Sequence, residues 1–417
     1  MYRRKLIEPL MRALSDSPVV LLNGARQTGK TTLVRELLPR RHPARYYTLD
    51  DPGILAAIKA DPAGFLAGLT GPVILDEIQR APEIFVAIKL EVDKNRQPGR
   101  FLLTGSANVL LLPRLSESLA GRMEVLTLWP LSQGEVSNRK TGFVDAAFGK
   151  LPGPPRRLLR GDKIIECALR GGFPEVVGRK DEERRNAWYA SYITTILQRD
   201  VRDLANIDGL VEMPRLLALL AARAMTLQNF SELSRSSGLP QTTLKRYLTL
   251  LETVFLIQTL PPWSGNLSHR LVKSPKVMLS DTGLMAYLQG MSKNRLAIDS
   301  SLKGALIENF AGMELRKQIT WSQTKPRMFH FRTHENQEVD FVLEDRAGNL
   351  VGIEIKSSAT VGSDDFKGLR VLAAETGKKF HRGLVLYLGI ETIPFGENLH
   401  AMPLGAMWEI DEPGAKK

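Results

Sequence analysis

Over the first 135 residues, short apolar runs alternate with helix-length stretches of mixed polarity. The runs are Val19–Leu22, Tyr46–Leu49, Val73–Leu75, Phe101–Thr104 and Glu124–Leu128. Strands spaced by helical segments predict a parallel sheet covered on both faces. Apolar periodicity is lost over residues 138–157, which include Leu151-Pro152-Gly153-Pro154-Pro155, a linker pattern. Residues 158–260 read as helical, with Leu216, Leu217, Leu219 and Leu220 on one apolar face. Within them, Phe230–Ser236, the turn Ser237-Gly238-Leu239-Pro240 and Gln241–Glu252 predict a helix-turn-helix, and the mixed stretch 261–290 a wing. The pattern then returns to α/β, with a helix over Leu306–Lys317 and strands over Met328–Arg332, Val339–Leu343, Val351–Ile355 and Gly383–Tyr387. The expected fold class is therefore α/β at both ends around a helical, winged-helix middle. Its boundaries are 1–137, 138–210 for a linker with helices, 211–300 and 301–417.

Length supports several domains, since 417 residues exceed one ordinary core. No apolar run is long enough to span a bilayer, and the basic start Met1-Tyr2-Arg3-Arg4-Lys5 lacks a following signal-peptide core. With one cysteine, Cys167, there is no internal disulfide framework and no cysteine-based metal cluster, and a cytoplasmic location is expected. Charge is uneven. Lys and Arg stand at 21 against 15 acids over residues 1–150, 21 against 14 over 151–300 and 15 against 16 over 301–417. A nucleic-acid surface, if DNA is a partner, is expected in the first two-thirds. A solvated basic surface explains the same charge.

Candidate chemistry begins at Gly24-Ala25-Arg26-Gln27-Thr28-Gly29-Lys30-Thr31, which satisfies G-x-x-x-x-G-K-[ST] at every fixed position. With Thr32 it follows a predicted strand and opens a helix, so its amides and the helix N-terminus face bound phosphate. ATP is the expected ligand. Lys30 would reach the β- and γ-phosphates, and the Thr31 hydroxyl would bind Mg²⁺. Val73-Ile74-Leu75-Asp76-Glu77 delivers two acids to a strand tip, Asp76 for the magnesium shell and Glu77 as general base. The run Phe101–Asn108 places Thr104 and Ser106 at another tip, where a polar group can sense γ-phosphate or position water. A turn that needs small residues accounts for the same letters. In Leu119-Ala120-Gly121-Arg122, Arg122 could meet the γ-phosphate in cis, meet a neighbouring subunit's ATP in a homo-oligomer, or be a surface arginine.

The ensemble resembles a large prokaryotic family of predicted AAA-type ATPases. The resemblance runs through Asn23–Thr32, Val73–Arg80, Phe101–Asn108, Ser118–Arg122 with Pro130-Leu131-Ser132, Gly171-Gly172-Phe173-Pro174-Glu175, Tyr192–Val201 and Ile307–Lys356. It implies an AAA-like ATPase core, a winged-helix middle and a restriction-endonuclease-like α/β C-terminal domain.

On the second helix of the helix-turn-helix, Gln241, Thr242 and Thr243 could face DNA, and Lys245 and Arg246 its phosphates; packing alone is the other reading. In the C-terminal block, residues two apart on a strand share a face, so Glu354 and Lys356 point together, and Asp340 comes from the preceding strand. Asp340 and Glu354 could hold a second Mg²⁺ or Mn²⁺, with Lys356 orienting water. This resembles the PD-(D/E)-x-K fold, in which Glu308 matches an additional helical acid, although Val339 stands where that pattern has proline. A non-catalytic scaffold is the competing reading.

Overall fold

The structure is a computed structural model that describes residues 2–107, 119–139, 141–151, 159–201, 210–266 and 274–409. Asn108, Ser118 and Pro152–Pro155, which figure in the sequence reading, lie outside these residues. The chain divides into two compact units, one of Arg3–Pro130 with Thr249–Leu256, the other of Leu131–Leu248 with Ile257–Lys417.

The first unit is built on five parallel strands, β1 (Val19–Asn23), β2 (Arg45–Thr48), β3 (Val73–Asp76), β4 (Phe101–Gly105) and β5 (Met123–Thr127). Their order is β2-β3-β4-β1-β5, with β1 central between β4 and β5. Side-chain alternation sorts the strand residues into two cores. Val19, Leu21, Val73, Leu75, Phe101 and Leu103 join one cluster with Ile84, Phe85, Ile88 and Val92 of the helix Ile84–Lys94. Val20, Leu22, Ile74 and Leu102 join the other with Leu10 and Leu14 of the helix Ile7–Asp16. Burial on both faces is why these strands read as continuous apolar runs instead of alternating ones.

The second unit joins segments that the sequence reading separates. A fully buried carboxylate, Glu314 on the helix Ser300–Trp321, accepts hydrogen bonds from Gln133 N (3.0 Å), Trp408 Nε1 (2.5 Å) and Lys317 Nζ (2.8 Å). One acid thus ties residues near 133, 314 and 408. The Gly171-Gly172 pair is explained in the same way. Asp281 accepts from Gly172 N, Tyr189 Oη and Leu284 N at 2.7, 2.7 and 3.0 Å. Gly171 has φ +80°, and a Cβ there would lie 2.3 Å from Asp281 Oδ1 and 2.4 Å from Tyr189 Oη.

The predicted helix pair appears as Phe230–Ser237 and Gln241–Thr253, the first capped by Asn229, whose side chain accepts from Ser231 N and Glu232 N. An antiparallel pair follows, β6 (Ile257–Leu260) with β7 (Lys276–Leu279). The helical reading of residues 158–260 therefore fails over Ile257–Leu260, after Phe255 adopts φ +60°, which a right-handed helix cannot continue through.

The C-terminal sheet is mixed, in the order β12-β13-β11-β10-β9-β8. Its strands are β8 (Arg327–Arg332), β9 (Glu338–Glu344), β10 (Leu350–Lys356), β11 (Phe380–Tyr387), β12 (Ile393–Gly396) and β13 (Leu399–Pro403). β10 runs antiparallel to β9 and parallel to β11.

Candidate active site

β1 ends at Asn23, and the chain turns through Gly24–Gly29 into a helix that starts at Lys30. Gly24 has φ +146°, and a Cβ on it would lie 2.3 Å from the carbonyl oxygen of Leu128 just past β5. Gln27 and Gly29 also take positive φ. The loop is closed on itself, with Thr28 Oγ1 donating to Ala25 O at 2.9 Å and Lys30 Nζ to Gly24 O and Ala25 O at 2.8 and 2.9 Å. Lys30 is buried, so its ammonium already lies inside the loop that would enclose phosphate. Sequence reading missed Arg4, treated there only as part of a basic terminus. Its buried guanidinium donates to Thr28 O and to Trp129 O, both at 2.6 Å, and braces the loop against the segment after β5.

Asp76 closes β3 and is the hub of the site. Its Oδ2 accepts from Thr31 Oγ1 at 3.0 Å and from Tyr46 Oη at 2.5 Å, and its Oδ1 from Thr104 Oγ1. Three expected residues, Thr31, Asp76 and Thr104, thus meet at the C-terminal edges of neighbouring parallel strands, where open α/β sheets bind ligands. Tyr46 on β2 was not anticipated. Burial, and then the adjacent Asp76 carboxylate, push its phenol well above the ordinary range. Glu77 follows with φ +60°, ψ +44°, a left-handed conformation costly for a non-glycine residue. Thr104 Oγ1 accepts from Glu77 N at 3.2 Å. The Glu77 carboxylate accepts from Gln79 Nε2 and from Ser106 Oγ at 3.4 Å, and Gln79 Nε2 also donates to Ser106 Oγ at 2.9 Å. Ser106 therefore belongs with Glu77, through Gln79.

Arg122, for which cis, trans and surface roles were all open, lies apart from this cluster. It immediately precedes β5, whose Met123 pairs with Val19 at the start of β1, whereas the phosphate loop leaves from the other end of that strand. Its guanidinium forms a bidentate pair with Asp93, at 2.5 and 3.0 Å. Arg122 thus lies at the end of β5 away from the phosphate loop, paired with a surface acid.

In the second unit, Glu308, Asp340, Glu354 and Lys356 are brought together. Ile355 N donates to Asp340 Oδ2 at 2.8 Å, Asp340 N to Glu354 Oε2 at 3.4 Å, and Lys356 Nζ to Glu354 Oε1 at 3.1 Å. The unexpected member is Lys276 of β7, whose Nζ lies 3.0 Å from Glu308 Oε1 and 3.6 Å from Asp340 Oδ1. Burial, together with the charge of Asp340, raises the Glu308 carboxyl well above the ordinary carboxylate range, against the pull of Lys276. The same two causes push Glu354 up to about 8, with Lys356 opposing. Burial alone would lower Lys276, but the carboxylates of Glu308 and Asp340 outweigh it and hold the ammonium above its usual range. Among the described residues no group of three or more His, Cys, Asp or Glu is arranged to hold a metal ion. Protein donors thus reach Glu308 Oε1, Asp340 Oδ2 and both Glu354 oxygens.

On the helix Gln241–Thr253, Gln241, Thr242, Lys245 and Arg246 are exposed while Leu244 and Tyr247 are buried. No helix among the described residues is long and apolar enough to cross a membrane.

Comparison with known proteins matches residues 16–137 to an AAA domain. Residues 161–295 and 303–407 match two domains of unknown function, DUF8612 and DUF4143, which assign no activity to either region. The chain is 33% identical over 402 residues to uncharacterized protein Rv2008c of Mycobacterium tuberculosis, covering 96% of this chain and 83% of that one, and equally to uncharacterized protein Mb2031c of Mycobacterium bovis. It is 25% identical over 248 residues to uncharacterized protein MJ1544 of Methanocaldococcus jannaschii, covering 58% of this chain and 52% of that one. Among solved structures, it is similar to the Walker-type ATPase paby2304 of Pyrococcus abyssi at 18% identity, with 68% of this chain and 94% of that one covered and a TM-score of 0.39. The AAA match coincides with the sheet that carries the Gly24–Thr31 loop and Asp76, and identity to the mycobacterial proteins runs through nearly the whole chain: it belongs to their family, and its N-terminal region is an AAA-type P-loop ATPase domain.

Proposed function

We propose that the chain hydrolyses ATP with Mg²⁺ and couples that cycle to DNA binding or processing. The observation that carries this reading is the Thr31–Asp76–Thr104 cluster at the mouth of the loop that holds Lys30. Thr31 and Asp76 present hard oxygen donors side by side, a fit for Mg²⁺. Bound there, Mg²⁺ would offset charge on the phosphate oxygens. Lys30 exchanges its two loop carbonyls for phosphate oxygens when nucleotide enters. The backbone amides of Gly24–Thr32 surround the same phosphates. Glu77 accepts the proton of the attacking water, and Gln79 and Ser106 set the direction of its carboxylate. Tyr46 and Thr104 hold Asp76 in place.

The DNA side of the proposal rests on the exposed polar and basic start of the helix Gln241–Thr253 and on the basic first two-thirds of the chain. In a homo-oligomer Arg122 serves a neighbouring subunit's nucleotide after leaving Asp93. The test is ATP binding and turnover by wild type and Lys30→Ala, each with and without duplex DNA. Undiminished binding and turnover in Lys30→Ala would refute the site. Turnover and nucleotide-dependent DNA affinity both indifferent to the partner would refute the coupling.

The alternative is a nucleotide-controlled binding protein whose C-terminal domain is a non-catalytic scaffold. It is favoured by the protein-satisfied carboxylates around Asp340. Metal-dependent cleavage by wild type and none by Lys356→Ala would dismiss it.

A further inference from the structure

We infer that Lys276 is the resident cation of the C-terminal carboxylate cluster. It stands between two of the three acids that would have to hold a divalent ion, so the native site takes no metal, and the acids serve to hold the lysine. Three observations converge on this. First, Nζ lies between carboxylates from two different elements, Glu308 on the helix Ser300–Trp321 and Asp340 on β9, at 3.0 and 3.6 Å, with the lysine side chain only 4% exposed. An ammonium is a compact charge with three donors and can satisfy two such acids together. Second, the outward oxygens have protein donors. Asp340 Oδ2 takes Ile355 N, Glu354 Oε2 takes Asp340 N, and Glu354 Oε1 takes Lys356 Nζ, which itself lies 3.6 Å from Asp365. A divalent ion placed on these acids would also meet two ammonium groups, Lys276 beside Glu308 and Asp340 and Lys356 on Glu354, and like charges so close repel. Third, Lys276 cannot easily withdraw. It lies in β7, opposite Leu260 of β6, and bridges Leu227 on its other side, so its Cα is fixed by pairing on both edges.

A buried ammonium without partners is strongly unfavourable, as are buried carboxylates without a cation. Each side therefore explains why the other is tolerated, without any bound ion. Lys276 arrives from a strand 64 positions before Asp340, so the counter-charge is contributed by the middle segment of the chain to the C-terminal sheet.

The experiment is Mn²⁺ uptake, followed by electron paramagnetic resonance of free Mn²⁺, with the full chain, no nucleotide, and Lys30→Ala as background. Wild type at position 276 is expected to show no uptake that depends on Asp340. Lys276→Met, which removes the charge and keeps the stem, is expected to gain one bound Mn²⁺ that Lys276→Met with Asp340→Asn loses again. Uptake by the unaltered cluster that disappears in Asp340→Asn or in Glu354→Gln overturns the inference, as does a folded Lys276→Met that gains no site. The wild-type comparison needs no change at position 276, so it still tests the inference if Lys276→Met does not fold. Nucleotide binding at Lys30 plays no part in it, so failure of the ATPase proposal leaves the result interpretable.

Discussion

Replacing Arg4 by Met should weaken both the fold of the first unit and its hold on nucleotide. Arg4 is 7% exposed, and its guanidinium donates two 2.6 Å bonds, to Thr28 O in the phosphate loop and to Trp129 O beyond β5. Methionine keeps much of the apolar stem but leaves two carbonyls without that donor. Hydrogen bonds from a charged donor contribute roughly 1.5–3 kcal/mol each, and water entering the vacated space recovers part of the loss, so a net cost of about 2–4 kcal/mol is expected. Against a typical domain stability of about 5–15 kcal/mol this is large. The loop should also lose definition. If about 1.4 kcal/mol of that cost falls on the nucleotide-binding conformation, the Kd for ATP rises about tenfold. Arg4→Lys, which can reach one carbonyl, should be intermediate. Urea denaturation gives the first quantity, and titration of a fluorescent ATP analogue gives the second. An Arg4→Met protein with wild-type midpoint, slope and nucleotide affinity would show that the brace is inert.

Glu77→Gln should still bind ATP but turn it over roughly 10²–10⁴-fold more slowly, measured by phosphate release; wild-type turnover would move the base elsewhere. Mixing Lys30→Ala with Arg122→Ala subunits should restore part of the activity that each lacks if Arg122 acts across an interface. A strictly monomeric ATPase at every concentration would end that role. Hydrogen bonds from Lys293 and Lys163 hold the surface carboxyl of Glu166 down to about 2. Because its native value is depressed, the pairing is complete above the ordinary carboxylate range and is lost as pH falls toward 2. Carboxyl NMR titration of Lys293→Met should find Glu166 moved upward, and an unmoved value would show that the pair does not persist in solution.

The P-loop and the acids after β3 were legible because they are local in sequence. Gly24, Lys30 and Thr31 lie within one turn, and Asp76 and Glu77 are fixed to a strand tip by the apolar run before them. What sequence left out came from afar. Arg4 and Trp129 meet Thr28 only after the sheet has formed, and Tyr46 reaches Asp76 through the pairing of β2 with β3. Gln79 is close in sequence but carries no motif, and its link to Ser106 spans 27 positions. In the C-terminal sheet, strand alternation sufficed to put Glu354 and Lys356 on one face. It could not reveal that Lys276 would join them, since nothing in an isolated lysine announces a partner on another element. β12 was missed for a local reason. Ile393-Pro394-Phe395-Gly396 contains two residues that weaken strands, tolerated because β12 is an edge that pairs only with β13.

The Glu314 node also fixes an order of assembly. All five strands of the first sheet are complete once residue 127 has been made, so that sheet can form while the rest of the chain is still being synthesised. Glu314, by contrast, receives its last donor only when Trp408 emerges. At about 5–20 residues per second, roughly 15–55 s separate the two moments. Within it, Gln133 waits without its acceptor until residue 314, 181 positions on, arrives, and Glu314 then lacks its Trp408 donor for about 5–19 s more. Contacts of such long span slow folding, because the loop entropy is lost before the bonds form. Truncation before residue 408 should therefore spare the nucleotide-binding sheet while leaving the second unit prone to aggregate.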